Sequence, residues 1–121
     1  MPKKEKDVAT VGVSAKGDAM LKEIVAQTEW FTREIDVYRA GIAVALGQGL
    51  EPIPYTDTTT KFNVGTLETS TSQIASLIRA LAPAHQDRPY AHSQELAEAG
   101  ILHLYQQLVD QSVSIHKALL G

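Results

Sequence analysis

The stretch Val8-Ala9-Thr10-Val11-Gly12-Val13-Ser14 sets Val11 and Val13 on one side and Thr10 and Gly12 on the other. A period of two over so few residues predicts one short strand with an apolar face. Ser14 or Asp18 then caps a helix over about residues 16 to 29, in which Leu21, Ile24, Val25 and Thr28 recur at helical spacing. Thr28-Glu29-Trp30-Phe31-Thr32 interrupts that pattern with bulky and β-branched side chains, and Thr32 is the expected N-cap of the next helix. From Arg33, Ile35, Tyr38, Ile42 and Leu46 form an apolar stripe flanked by Val44, which stops at Gly47-Gln48-Gly49.

Glu51-Pro52-Ile53-Pro54 ends helical structure, because proline lacks a donor and forces its neighbour to extend. Tyr55 to Thr71 holds seven threonines and no helical period, so it reads as a connector with one short strand at Lys61-Phe62-Asn63-Val64. From Ser72, Ile74, Leu77, Ile78 and Leu81 share a helical face that Pro83 stops. After the polar turn 84–89, Leu96, Gly100, Ile101, Leu104, Leu108, Ile115 and Leu119 predict one long packing helix. No internal repeat is visible.

The chain of 121 residues matches one compact domain, and its 44% hydrophobic and 21% charged composition is that of a folding protein. With no cysteine, disulfides, thiolate zinc sites, iron–sulfur clusters and cysteine nucleophiles are excluded. MPKKEKD runs into the strand without a signal-type apolar core, and no apolar run of about 18 residues exists, so a cytoplasmic protein without membrane contact is expected. Residues 1–49 carry seven Lys and Arg against seven Asp and Glu, and residues 50–121 four against seven. An anion-binding face is therefore expected in the N-terminal half.

Strand, helix, interrupted turn and helix over residues 8–50 resemble the ribbon-helix-helix family, in which strands of two protomers pair as a β-ribbon that enters the DNA major groove. The resemblance implies a mainly α, oligomeric protein of two or more copies. It would have a flexible basic arm (1–7), a ribbon-helix-helix-like unit (8–50), a Thr/Pro-rich connector (51–71) and a C-terminal helical extension (72–121). It further implies groove-facing Thr10 and Gly12, phosphate contacts at Thr32 and Arg33 at a helix start, and an arm of Lys3, Lys4 and Lys6 along the backbone. Val11 and Val13 in the ribbon and Tyr38, Gly41, Ile42 and Ala45 on the second helix would form the dimer seam. Two phrases, Asp36 through Gly47 and Glu95-Leu96-Ala97-Glu98-Ala99-Gly100-Ile101-Leu102-His103-Leu104, are also similar to small accessory proteins of DNA-phosphorothioation (Dnd-type) systems. That likeness implies a role beside DNA-acting machinery.

No enzymatic signature emerges. His85, His92, His103 and His116 include no i, i+4 pair, and His92 and His103 lie about 16 Å apart along a helix, too far to share a metal. Glu95 and Glu98 read as a solvated helix face. Trp30 and Phe31 either anchor a partner or lid the local core. No cofactor or metal is expected. Two non-enzymatic readings result: DNA binding through ribbon and arm, which the lack of groove-facing cations weakens, or an adaptor whose C-terminal helices dock a protein partner without nucleic-acid contact.

Overall fold

A computed structural model describes residues 6–69, 73–112 and 114–120; Lys3 and Lys4 lie outside them. The chain is mainly helical with one two-stranded antiparallel sheet, in the order β1 (Thr10–Val13), α1 (Ala15–Gln27), α2 (Glu34–Gln48), β2 (Thr59–Asn63), α3 (Val64–Leu67), α4 (Ile74–Leu81), α5 (Pro89–Tyr105) and α6 (Ile115–Leu120). A single 3₁₀ turn, Pro83–His85, links α4 to α5, and a π-helical segment, Gln106–Asp110, follows α5.

The local signals explain most of the element ends. Ser14 caps α1, its hydroxyl accepting from the Gly17 N–H at 2.9 Å. Gly49 ends α2 in the left-handed region at φ 64°. Thr32 does not cap α2: Arg33 holds the N-cap position without a side-chain hydrogen bond, and its guanidinium instead pairs with Asp36 at 2.9 Å. The expected single C-terminal helix is broken as well. Past Tyr105 the backbone widens into the π segment, Ser112 takes φ 52°, and α6 turns back so that the Gln48 side-chain amide donates to the Ala118 and Leu119 carbonyls at 3.1 Å. Aspartate and serine there offer the backbone competing hydrogen bonds, which weakens helix continuation.

The strand forms where expected, but its partner is β2 of the same chain. Thr10 faces Asn63, Val11 faces Phe62, Gly12 faces Thr60 and Val13 faces Thr59, so Lys61 is an extra residue in β2, a β-bulge. The opposite edge of β1 is closed by side chains. The Gln94 amide oxygen accepts from the Gly12 N–H at 3.0 Å, the Tyr38 and Tyr55 hydroxyls donate to the Gly12 carbonyl at 2.9 and 2.7 Å, and Glu98 accepts from the Ser14 N–H at 2.9 Å. An inter-chain ribbon through β1 is thus corrected: neither edge is left to a second copy.

The seam candidates Val11, Val13, Tyr38, Gly41, Ile42 and Ala45 are likewise buried inside one chain. Helix α5 is the hub. It packs on α2, on α1, on β1 and on α4, and buried residues are found all round it, from His92 and Ser93 to Ile101 and Leu104. At the crossing with α2 the backbones touch. A Cβ on Gly100 would stand 1.8 Å from the Gly41 carbonyl oxygen, whereas one on Gly41 would meet the Ile101 nitrogen at 3.2 Å.

Gly100→Ala should therefore cost roughly 1–3 kcal/mol or more by forcing the helices apart. Gly41→Ala should cost less. Gly47→Ala, whose new methyl meets nothing within 4 Å, should gain about 0.5–1 kcal/mol. Urea denaturation of the three variants ranks them, and a tolerated Gly100→Ala would refute the crossing.

Candidate functional site

Three surfaces bear on function. At the ribbon, the bulge turns Lys61 toward the helices, where its ammonium bridges Asp18 (2.7 Å) on α1 and Glu34 in the first turn of α2. Asp18 also pairs with Lys22 at 2.9 Å, and Asp36 contacts Arg39 as well as Arg33. Burial raises the Asp18 carboxyl, but hydrogen bonds and charge from Lys61 and Lys22 outweigh it and hold the group below the ordinary carboxylate range. Burial lowers Lys61 while the two carboxylates raise it further, so it stays an ammonium.

The DNA-contact candidates do not assemble there. Gly12 is buried, and a Cβ on it would lie 2.2 Å from the Thr59 carbonyl oxygen, so the groove-facing reading is corrected: the β2 backbone occupies that space. Thr10 is exposed at the start of β1. Lys6 is exposed beside the start of α5, its carbonyl accepting from Arg88 at 3.1 Å. Thr32 and Arg33 are exposed and line a shallow cavity of about 560 Å³ with Lys61 and Phe62, where Arg33 and Lys61 are already engaged by carboxylates.

The second surface is the polar cluster on the closed edge of β1. Glu98, expected on a solvated face, is buried; its carboxylate accepts from the Ser14 N–H and, at 2.6 Å, from the Ser14 hydroxyl. Gly17 leaves it room, since a Cβ there would meet Glu98 Oε1 at 2.6 Å. Asp57 accepts from the Ala15 N–H at 3.1 Å. Carboxylates suit this helix start, which offers free N–H groups and partial positive charge. Burial first, then the neighbouring Tyr55 and Glu98, push the Tyr38 hydroxyl well above the ordinary phenol range; burial and the carboxylates of Glu98, Glu95 and Asp57 raise Tyr55 likewise. Both phenols stay protonated donors on the Gly12 carbonyl. The cluster is structural glue.

The third surface is apolar. Between α2 and α4 runs a groove of about 450 Å³ lined by Ala40, Ile42, Ala43, Leu46, Ile74 and Leu77, with Arg39 and Thr69 at its margin. The face expected to bury Ile74, Leu77, Ile78 and Leu81 is split: Ile74 and Ile78 enter the core, while Leu77 and Leu81 remain 43% and 62% exposed. Polar anchors hold α4 in place. Glu68 accepts from the Ile74 and Ala75 N–H groups and from the Tyr90 hydroxyl at 2.7 Å, and Arg39 donates to the Thr66 and Leu67 carbonyls at 2.7 and 3.1 Å. Elsewhere Trp30 is 52% exposed and Phe31 is half-buried against the core.

Sequence reasoning missed Lys61, Gln94, Tyr55 and Glu98. Only Lys61, the single charge within Thr58–Asn63, carried a signal. Among the described residues no group of three or more His, Asp or Glu side chains could hold a metal ion, and no helix is long and apolar enough to cross a membrane. No family model matches the chain, and neither a curated protein nor a solved structure is detectably similar to it.

Lys61→Met should lower stability at pH 7 by about 0.5–1 kcal/mol, a modest figure because these charges keep some contact with water. Asp18 is held below its ordinary value of 3.8 in the fold, so its contribution is complete above that value and lost as pH falls through the lower, folded one. The gap between wild type and variant should shrink with acidification. Thermal melts at pH 7 and pH 3 check this, and a gap that widens in acid would count against the bridge.

Proposed function

We propose that the chain is a non-enzymatic docking module that takes an apolar helical segment of a partner protein into the groove between α2 and α4. The observation that carries this reading is the pair Leu77 and Leu81. They sit one helical turn apart on a helix whose position is fixed by Glu68, so α4 needs neither of them for its own placement. Beside Leu77 the small side chains of Ala40 and Ala43 leave a concave floor. An apolar floor of this kind, flanked by an exposed leucine, is where an amphipathic helix can insert its i, i+3/i+4 anchors. Exposed apolar surface of this kind gains free energy when covered.

Nucleic-acid contact has less support. Phosphate binding needs cations free to replace counterions, and Arg33 at the ribbon is paired with Asp36. Lys6 stays exposed beside the start of α5, where its carbonyl accepts from Arg88. The non-enzymatic reading is supported by the buried polar groups, since Glu98 is engaged by Ser14 and the Tyr38 and Tyr55 hydroxyls by the Gly12 carbonyl.

Partners retained by the tagged chain in its native cells should be lost from a Leu77→Glu/Leu81→Glu variant that melts like wild type, and kept by Trp30→Ala. An identical partner profile for all three would reject the groove. A DNA titration in about 50 mM salt should show no binding at tens of micromolar; salt-sensitive affinity there would restore the nucleic-acid role. Solution mass of the same variants tells whether the partner is a second copy.

A further inference from the structure

At the corner where α4 gives way to α5, two histidines are stacked face to face. His85 ends the exposed 3₁₀ turn and His92 lies in the first turns of α5; their ring centroids are 3.6 Å apart and their planes differ by 3°. His92 is 7% exposed and its buried Nδ1 has no hydrogen-bond partner among the described residues. Other hydrogen bonds also cross the corner, among them the Tyr90 hydroxyl of α5 to Glu68 at 2.7 Å. The Arg88 N–H donates to the His85 carbonyl at 3.2 Å, and Arg79 of α4 reaches the Gln86 carbonyl at 3.3 Å.

We propose that the His85–His92 stack is a pH-sensitive latch: closed while the buried His92 ring is neutral, it opens the α4–α5 corner when that ring takes up a proton. Two imidazoliums at 3.6 Å repel each other, and a charged His92 ring would lie out of water with one nitrogen unpaired. The surrounding charges do not rescue it. Asp87 and Glu95 line the same cavity of about 320 Å³ together with Arg88. Asp7, from the N-terminal segment, is engaged by the Tyr90 and Ala91 N–H groups at 2.8 and 2.9 Å. Neither carboxylate of the cavity is hydrogen-bonded to His92.

Burial first, and the facing His85 ring second, lower the His92 pKa from its ordinary 6.5. Below 6.5 the unfolded or opened chain therefore binds the proton more readily than the closed one. The closed corner is fully stable above that value and weakens as pH falls toward the lowered one.

Hydrogen exchange at residues 83–92, corrected for the intrinsic pH dependence, should quicken several-fold between pH 7.5 and 5.5 while β1 and α1 stay unchanged. His92→Phe keeps a ring in the stack without a proton to gain and should abolish the difference. The His92 ring resonance should titrate with a midpoint below 6.5, and His85→Phe, a change at an exposed position, should move that midpoint upward. Equal exchange at the two pH values, or a pH response shared by wild type and His92→Phe, overturns the latch. Should His92→Phe fail to fold, a midpoint unmoved by His85→Phe overturns it equally.

Discussion

The contact on which the rest of the molecule depends is the backbone-to-backbone approach of α2 and α5 at Gly41 and Gly100. With no Cβ at Gly100 the two helices come close enough for Ile101 and Ala97 to lie against Gly41, and the Tyr38 side chain reaches the far side of β1. That spacing also fixes where the rest of α5 points. Gln94 and Glu98, one turn apart, fall against the free edge of β1 and the start of α1, where they meet the Gly12 and Ser14 N–H groups. A bulkier residue at position 100 would lift α5 away from α2 and strip β1 of these acceptors. Unpaired buried backbone groups cost free energy comparable to a lost hydrogen bond, so the strand depends on the helix crossing as much as on its own sheet partner.

This dependence explains what could be read from the sequence. The strand at Thr10–Val13 and helices α1 and α2 follow from local periods and caps, and the structure forms them within a residue or two of the expected ends. The pairing of β1 did not follow. Its partner β2, Thr59–Asn63, overlaps the short strand expected at Lys61–Val64, but the register slips at Lys61, and that bulge breaks the alternation that would match the two strands. Glu98 misleads for a different reason. A helical period sorts residues into one inner and one outer face, whereas α5 is surrounded by α1, α2, α4 and β1 and has little outer face left. A carboxylate on such a helix is buried against whatever donors the neighbours supply, and those donors belong to a strand distant in sequence.

The same neighbours decide what the charges mean. Counted along the chain, the N-terminal half is the richer in cations. In the fold, Lys61 joins Asp18 and Glu34 across the ribbon, while Arg33 and Arg39 converge on Asp36. These pairs pin the first turn of α2 beside α1, a structural use of charge that a count of residues does not distinguish from a surface awaiting phosphate.

Helix α4 shows the reverse situation. Its ends are tied by polar contacts, Glu68 at the start and Arg79 to the Gln86 carbonyl beyond its end, so its placement is decided before its apolar residues are all covered. Ile74 and Ile78 enter the core, Leu77 is left at the groove, and Leu81 is left exposed one turn further along. Burying both leucines by rolling α4 about its axis would expose Ile74 and Ile78 and break the Glu68 cap, a loss of burial and of hydrogen bonds together. The helix therefore cannot satisfy all four large aliphatics within one chain, and Leu77 and Leu81 stay at the surface.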